Sequence, residues 1–180
     1  MDTPQVLILT GPPGAGKTTV AKLLAGRHER ATHVESDRFF RFIESGYLEP
    51  WLTESHEQNT IVMTIVGEAA AGYARGEYFT IVDGILVPGW FLEPLRDSLR
   101  SADVHLSLAI LRPPLATAMH RARGRTSDRL SDPAVIEQLW NGFNDLGPLE
   151  RHVIDNGNED ATRTTETIAE RLDRGELELE

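Results

Sequence analysis

The chain has 180 residues, 40% hydrophobic and 26% charged, with a formal net charge of −10; it is long enough for one domain with a sizeable core, and no apolar run approaches the roughly 18 residues of a membrane helix. The acidic balance argues against a general nucleic-acid binder. The absence of cysteine excludes disulfides, thiolate zinc sites and cysteine nucleophiles. Met1-Asp2-Thr3-Pro4 carries no basic segment of the kind that opens a signal peptide, so a cytoplasmic protein is expected.

Residues 5–10, Gln-Val-Leu-Ile-Leu-Thr, read as a buried strand, a short apolar run ended by Gly11. A helix begins near Gly16, with Val20, Leu23, Leu24 and Arg27 at helical spacing and Gly26 as terminator. Residues 32–36 give a short second strand and 39–45 a short helix ended by Gly46. A long helix is predicted over 54–75. On it Ile61, Ile65 and Ala69 form one row and Val62, Val66 and Ala70 another. Residues 78–82 form a third buried strand running into Asp83-Gly84, and 91–100 a helix. The fourth strand, 104–111, carries Val104, Leu106, Leu108 and Ile110 on one face. A helix over 113–123 has Pro113 or Pro114 in its first turn, and an Arg-rich loop follows to Ser131. Asp132-Pro133 is a helix-start signal for an apolar stripe of Val135, Ile136, Leu139, Trp140 and Phe143. A fifth strand at 152–155 and a closing helix at 164–174 precede a Glu-Leu tail, 176–180, expected to fray or make a minor edge contact. Strands alternating with helices mean a parallel α/β sheet.

Gly11-Pro12-Pro13-Gly14-Ala15-Gly16-Lys17-Thr18 matches the phosphate-binding pattern GxxxxGK[ST] at every fixed position, between an apolar strand and an amphipathic helix. Glycines let backbone N–H groups converge on phosphates, and the helix that follows aims its positive end at them. Lys17 supplies a point charge for the β- and γ-phosphates, the Thr18 hydroxyl suits Mg²⁺, and Thr19 completes the contact set. Only Lys17 and Lys22 are lysines; the other sixteen basic residues are arginines. The Asn-Lys-x-Asp signature of guanine recognition is absent, and large motor and AAA ATPases need more chain.

The P-loop, the small size and the short distances between motifs resemble the nucleoside-monophosphate-kinase-like group. Within it the chain is similar to chloramphenicol phosphotransferase, gluconate kinase and shikimate kinase. That resemblance implies a single P-loop kinase domain over 1–180, a three-layer α/β/α fold with a five-stranded parallel sheet in the order 2-3-1-4-5, and an Arg-rich lid at about 121–132. It implies ATP and Mg²⁺ as cofactors and a small hydroxyl-bearing molecule as partner, with no membrane and no nucleic acid. A nucleoside or nucleotide kinase, an ATPase without an acceptor, and a nucleotide-binding toxin-like or regulatory protein are the alternatives.

Asp37 follows the second strand; in similar kinases an aspartate there orients the acceptor hydroxyl and takes its proton, although Asp is also a favoured N-cap for a helix at Arg38. Asp83 stands at the carboxyl end of a buried strand, where ligands of open α/β sheets gather, and would hold Mg²⁺ waters or the acceptor. Arg121, Arg125 and Arg129 would contact ATP from the lid, Arg125 as a catalytic clamp with Lys17 and Asp37; pairing with Asp128 and Asp132 is the plainer alternative. The Asp155-Asn156-Gly157-Asn158 turn would line the adenine. Around the acceptor, Arg38, Arg41, Asp37, Asp83 and Trp90 are candidate contacts. Phe39, Phe40, Phe42, Tyr47, Trp51 and Phe91 line the same region or fill the core, and Glu44, Glu49, Glu54 and Glu57 form an acidic rim favouring neutral or cationic acceptors. Shikimate kinase's paired acidic motif and gluconate kinase's lid sequence are absent.

Overall fold

The computed structural model describes residues 4–123 and 132–179. Its five strands are β1 (Gln5–Thr10), β2 (Ala31–Glu35), β3 (Phe79–Gly84), β4 (His105–Leu111) and β5 (Val153–Ile154). All neighbouring pairs are parallel, in the order β2-β3-β1-β4-β5. The helices are α1 (Lys17–Ala25), α2 (Ser36–Phe40), α3 (His56–Arg75), α4 (Leu92–Arg100), α5 (Leu115–Arg123), α6 (Pro133–Asn141) and α7 (Ala161–Asp173).

The three layers follow from strand alternation. On β1, Val6 and Ile8 face a core shared with α3 and α4, whereas Leu7 and Leu9 face a second core shared with α1 and α7. On β4, Leu106, Leu108 and Ile110 join the first core with Val104 packed beside them, while Ala109 and Leu111 join the second. β1 is buried on both faces and reads as a continuous apolar run, as a central parallel strand must.

Three local expectations are corrected. Residue 36 begins a helix rather than ending a strand. β3 ends in Gly84, where an added Cβ would stand 2.0 Å from Ser36 Oγ. The missing side chain therefore lets α2 start against the strand end, earlier than the predicted 39–45. On α3, Val62, Val66 and Ala70 are buried, but Ile61 and Ile65 are 53% and 46% exposed. α7 starts at Ala161, three residues before the predicted start, because the Asp160 side chain accepts from Arg163 N at 2.8 Å and caps it there. Of the two readings of the tail, the edge contact is the one that forms: Leu177 is fully buried, Leu108 N donates to Leu177 O at 2.8 Å and Leu179 N to Leu106 O at 2.9 Å. β5 covers only the last two residues of β4, so the tail satisfies that edge beyond it. The predicted cap at Asp132 is present, its side chain accepting from Ala134 N at 2.9 Å with Pro133 at the first helical position.

Candidate active site

The loop between β1 and α1 folds around its own backbone. Gly14 adopts φ 79°, a left-handed conformation, and a Cβ on it would lie 2.1 Å from Ala118 O, so only glycine lets the loop close against α5. Lys17 Nζ donates to Gly11 O at 2.9 Å and Pro12 O at 3.0 Å, holding the ammonium over the loop. The ammonium is only 7% exposed and stands at the N-terminus of α1, where orphan N–H groups favour an anion. Behind the loop, the buried Asn156 side chain donates to Ala15 O at 2.9 Å.

Across the β1–β3 pairing, Leu9 is in register with Asp83 and Thr10 with Gly84. This brings the end of β3 beside the start of α1. Thr18 Oγ1 donates to Asp83 Oδ2 at 2.7 Å, and His33 Nε2 lies 3.2 Å from the same oxygen. Burial works against the Asp83 charge, yet the His33 contact, the Lys17 charge and the Thr18 hydroxyl outweigh it and hold the carboxyl below the usual carboxylate range. Asp83 is therefore an anion at neutral pH. Thr10 Oγ1 accepts from Leu86 N at 2.9 Å and fixes the chain leaving β3.

One cleft of about 740 Å³ joins these groups to the loop after α2. Pro13, Gly14, Lys17, Thr18 and Asp83 line the cleft, and so do Glu35, Asp37 and Arg41, together with Glu44, Tyr47, Glu49 and Trp51 from that loop. Asp37 lies in the first turn of α2, while the N-cap position belongs to Glu35, which makes no side-chain cap. The structure thus gathers Lys17, Thr18, Asp37, Arg41 and Asp83 in one space. It does not bring Arg38 or Trp90 into the lining: Arg38 pairs with Glu35 at 2.8 Å, and Trp90 stacks on Phe91 at 4.9 Å between ring centroids. Arg121 donates to the carbonyls of Asn156, Gly157 and Glu159 at 3.2–3.4 Å, against the turn expected beside adenine. Arg125 and Arg129 lie outside the described residues, as does most of the predicted lid.

Sequence reasoning missed His33 and the bracing role of Asn156. The one signal for His33 was its place in β2, in register with Ile81 and two positions before Glu35, which pairs with Asp83. Among the described residues no group of three or more His, Asp or Glu could hold a metal by itself. A hydroxyl and one carboxylate oxygen 2.7 Å apart suit Mg²⁺, which keeps most of its waters and takes phosphate oxygens for the rest. No described helix is long and apolar enough to cross a membrane.

A profile of the AAA domain family matches residues 6–147. No curated protein matches the sequence. Among solved structures, the tunicamycin resistance protein of Deinococcus radiodurans is 18% identical with a TM-score of 0.70, covering 95% of this chain and 96% of that one. A sugar kinase from Janibacter sp. HTCC2649 is 21% identical with a TM-score of 0.69, covering 96% and 95%. Shikimate kinase from Acinetobacter baumannii, solved with shikimate, is 21% identical with a TM-score of 0.64, covering 96% and 94%. These likenesses show the fold, end to end, to be that of small P-loop kinases.

Proposed function

The chain belongs to the AAA domain family, and from that membership together with its cleft we propose that it is an ATP-dependent phosphotransferase acting on a hydroxyl of a small molecule. The observation that carries the reading is one cleft of about 740 Å³ lined both by P-loop residues and by Asp37. A hydrolase needs room for a water; this space has room for a second substrate beside the phosphates. The fold's neighbours, a sugar kinase and shikimate kinase among them, support the same reaction class.

The P-loop amides and Lys17 grip the β- and γ-phosphates. Thr18 and the ionised Asp83 would hold Mg²⁺, which neutralises charge on the phosphate oxygens. Asp37 aligns the acceptor hydroxyl and accepts its proton as the acceptor oxygen bonds to the γ-phosphorus and the bond to the β-phosphate oxygen breaks, releasing ADP. The arginines at 121, 125 and 129 are assigned the remaining charge on the transferring group, Arg125 foremost.

The test separates binding from transfer. In an ADP-release assay over a panel of hydroxylated compounds, Asp37→Asn is expected to lower acceptor-dependent turnover by roughly 10²–10⁴-fold and to leave MgATP affinity intact. Acceptor-independent hydrolysis that Asp37→Asn does not change would identify an ATPase instead.

A further inference from the structure

Beside the main cleft lies a second, smaller cavity of about 60 Å³, on a measure in which one water needs roughly 10–15 Å³. The two share Asp37, Phe40, Pro50, Trp51 and Ile85 as lining residues, so the cavity adjoins the cleft beside the carboxylate expected to meet the acceptor hydroxyl. Beyond those residues it is closed by Met63 of α3, Leu86 and Phe91 after β3, and Leu139 of α6. Among its described lining residues only Ser36 and Asp37 are polar. Water inside would find few partners, so an apolar group is the favoured occupant.

The rim sets the charge. Glu35, Glu44 and Glu49 line the cleft, and Arg41 is the one guanidinium among its described lining residues. Arg38 is turned to Glu35. A phosphate or carboxylate on the acceptor would meet more carboxylates than cations, and recognition of such groups normally rests on fixed basic forks.

Resting on the phosphotransferase reading, we infer that the acceptor is a neutral or cationic alcohol with an apolar arm, a ring or short branched alkyl group, seated among Phe40, Trp51, Met63, Phe91 and Leu139 while its hydroxyl stays at Asp37. Anionic acceptors, nucleoside monophosphates included, are excluded by the same walls.

Three probes differing in one feature each test this by ligand-observed NMR titration of the full chain saturated with Mg²⁺ and a non-hydrolysable ATP analogue. They are phenylalaninol, alaninol (the same head group without the ring) and 2-benzyl-3-hydroxypropanoate (the same ring and hydroxymethyl group with a carboxylate in place of the ammonium). Phenylalaninol is expected to bind about tenfold or more tightly than alaninol, the gain of burying one ring, and more tightly than 2-benzyl-3-hydroxypropanoate, whose carboxylate meets the acidic rim. Leu139→Phe and Met63→Phe, which narrow the cavity from opposite walls, are each expected to reduce it to the level of alaninol. Equal affinities for phenylalaninol and alaninol, tightest binding of 2-benzyl-3-hydroxypropanoate, or an unchanged preference in whichever variant folds would overturn the inference. Nucleotide binding is read separately by thermal shift; its absence overturns the phosphotransferase reading as well, whereas its presence with no ring preference sinks the acceptor class alone.

Discussion

At the scale of residues, the site depends on a few positions that admit no neighbour. Gly14 combines a left-handed φ with a Cβ direction blocked by Ala118 O. Gly14→Ala forces on the order of 1–3 kcal/mol of backbone strain, so MgATP affinity should fall by roughly tenfold or more, measured by calorimetry on a variant whose circular dichroism is that of the parent. Unchanged affinity would mean the loop is free to re-form away from α5. His152 is a second such residue. It is fully buried, Arg151 Nε donates to its Nε2 at 3.1 Å, and its Nδ1–H donates to Leu108 O at 3.2 Å. Burial first, then the Arg151 charge, lowers the imidazole pKa below its ordinary 6.5. The unfolded chain takes a proton near pH 6.5 that the folded chain refuses until lower pH. Stability is therefore full above that value and is lost as pH falls through it. His28, lowered by burial and by Arg27, adds a contribution of the same sign. The melting temperature should drop between pH 7.5 and 5.5, and His152→Gln should flatten that drop; an equal slope in the variant would assign it to other groups.

At the scale of elements, periodicity locates helices better than it orients them. The P-loop segment was legible because three signals coincide: the apolar run of β1, the glycine pattern and the helix after it. On α3 the rows Ile61–Ile65–Ala69 and Val62–Val66–Ala70 are both apolar, so spacing cannot choose between them; only packing against α4 and the sheet does. Val66→Ala should cost about 2 kcal/mol, and Ile65→Ala no more than about 0.5 kcal/mol, in urea unfolding. A larger cost at Ile65 would show that its row is covered in solution. The early start of α2 was not legible, because it depends on Ser36 meeting Gly84 from a strand 48 residues later in the chain. Asp37 was found for its position after β2; its place in the first turn of a helix came only with the structure. His33 was missed because its partner, Asp83, belongs to the neighbouring strand.

At the scale of the whole molecule, the sheet closes its own edge. β5 is two residues long, and the tail takes up the rest of β4's free side with Leu177 inserted between α7 and the sheet. The alternating Glu-Leu pattern reads as a loose end only when its destination is unknown. Leu177→Ala is expected to cost about 2–5 kcal/mol, and a cost under about 0.5 kcal/mol would return the tail to the status of a frayed end. The strand order, by contrast, was available in advance through the resemblance carried by the P-loop, since periodicity alone gives strands and not their neighbours. In a chain of net charge −10, the loop under Lys17 is the place where the account is most exposed. Titrating MgATP into the parent and into Lys17→Ala tests it most directly. The parent should bind, and the variant should bind about tenfold to hundredfold more weakly, the loss of one charge-assisted contact; no binding by the parent, or equal binding by both, would contradict it.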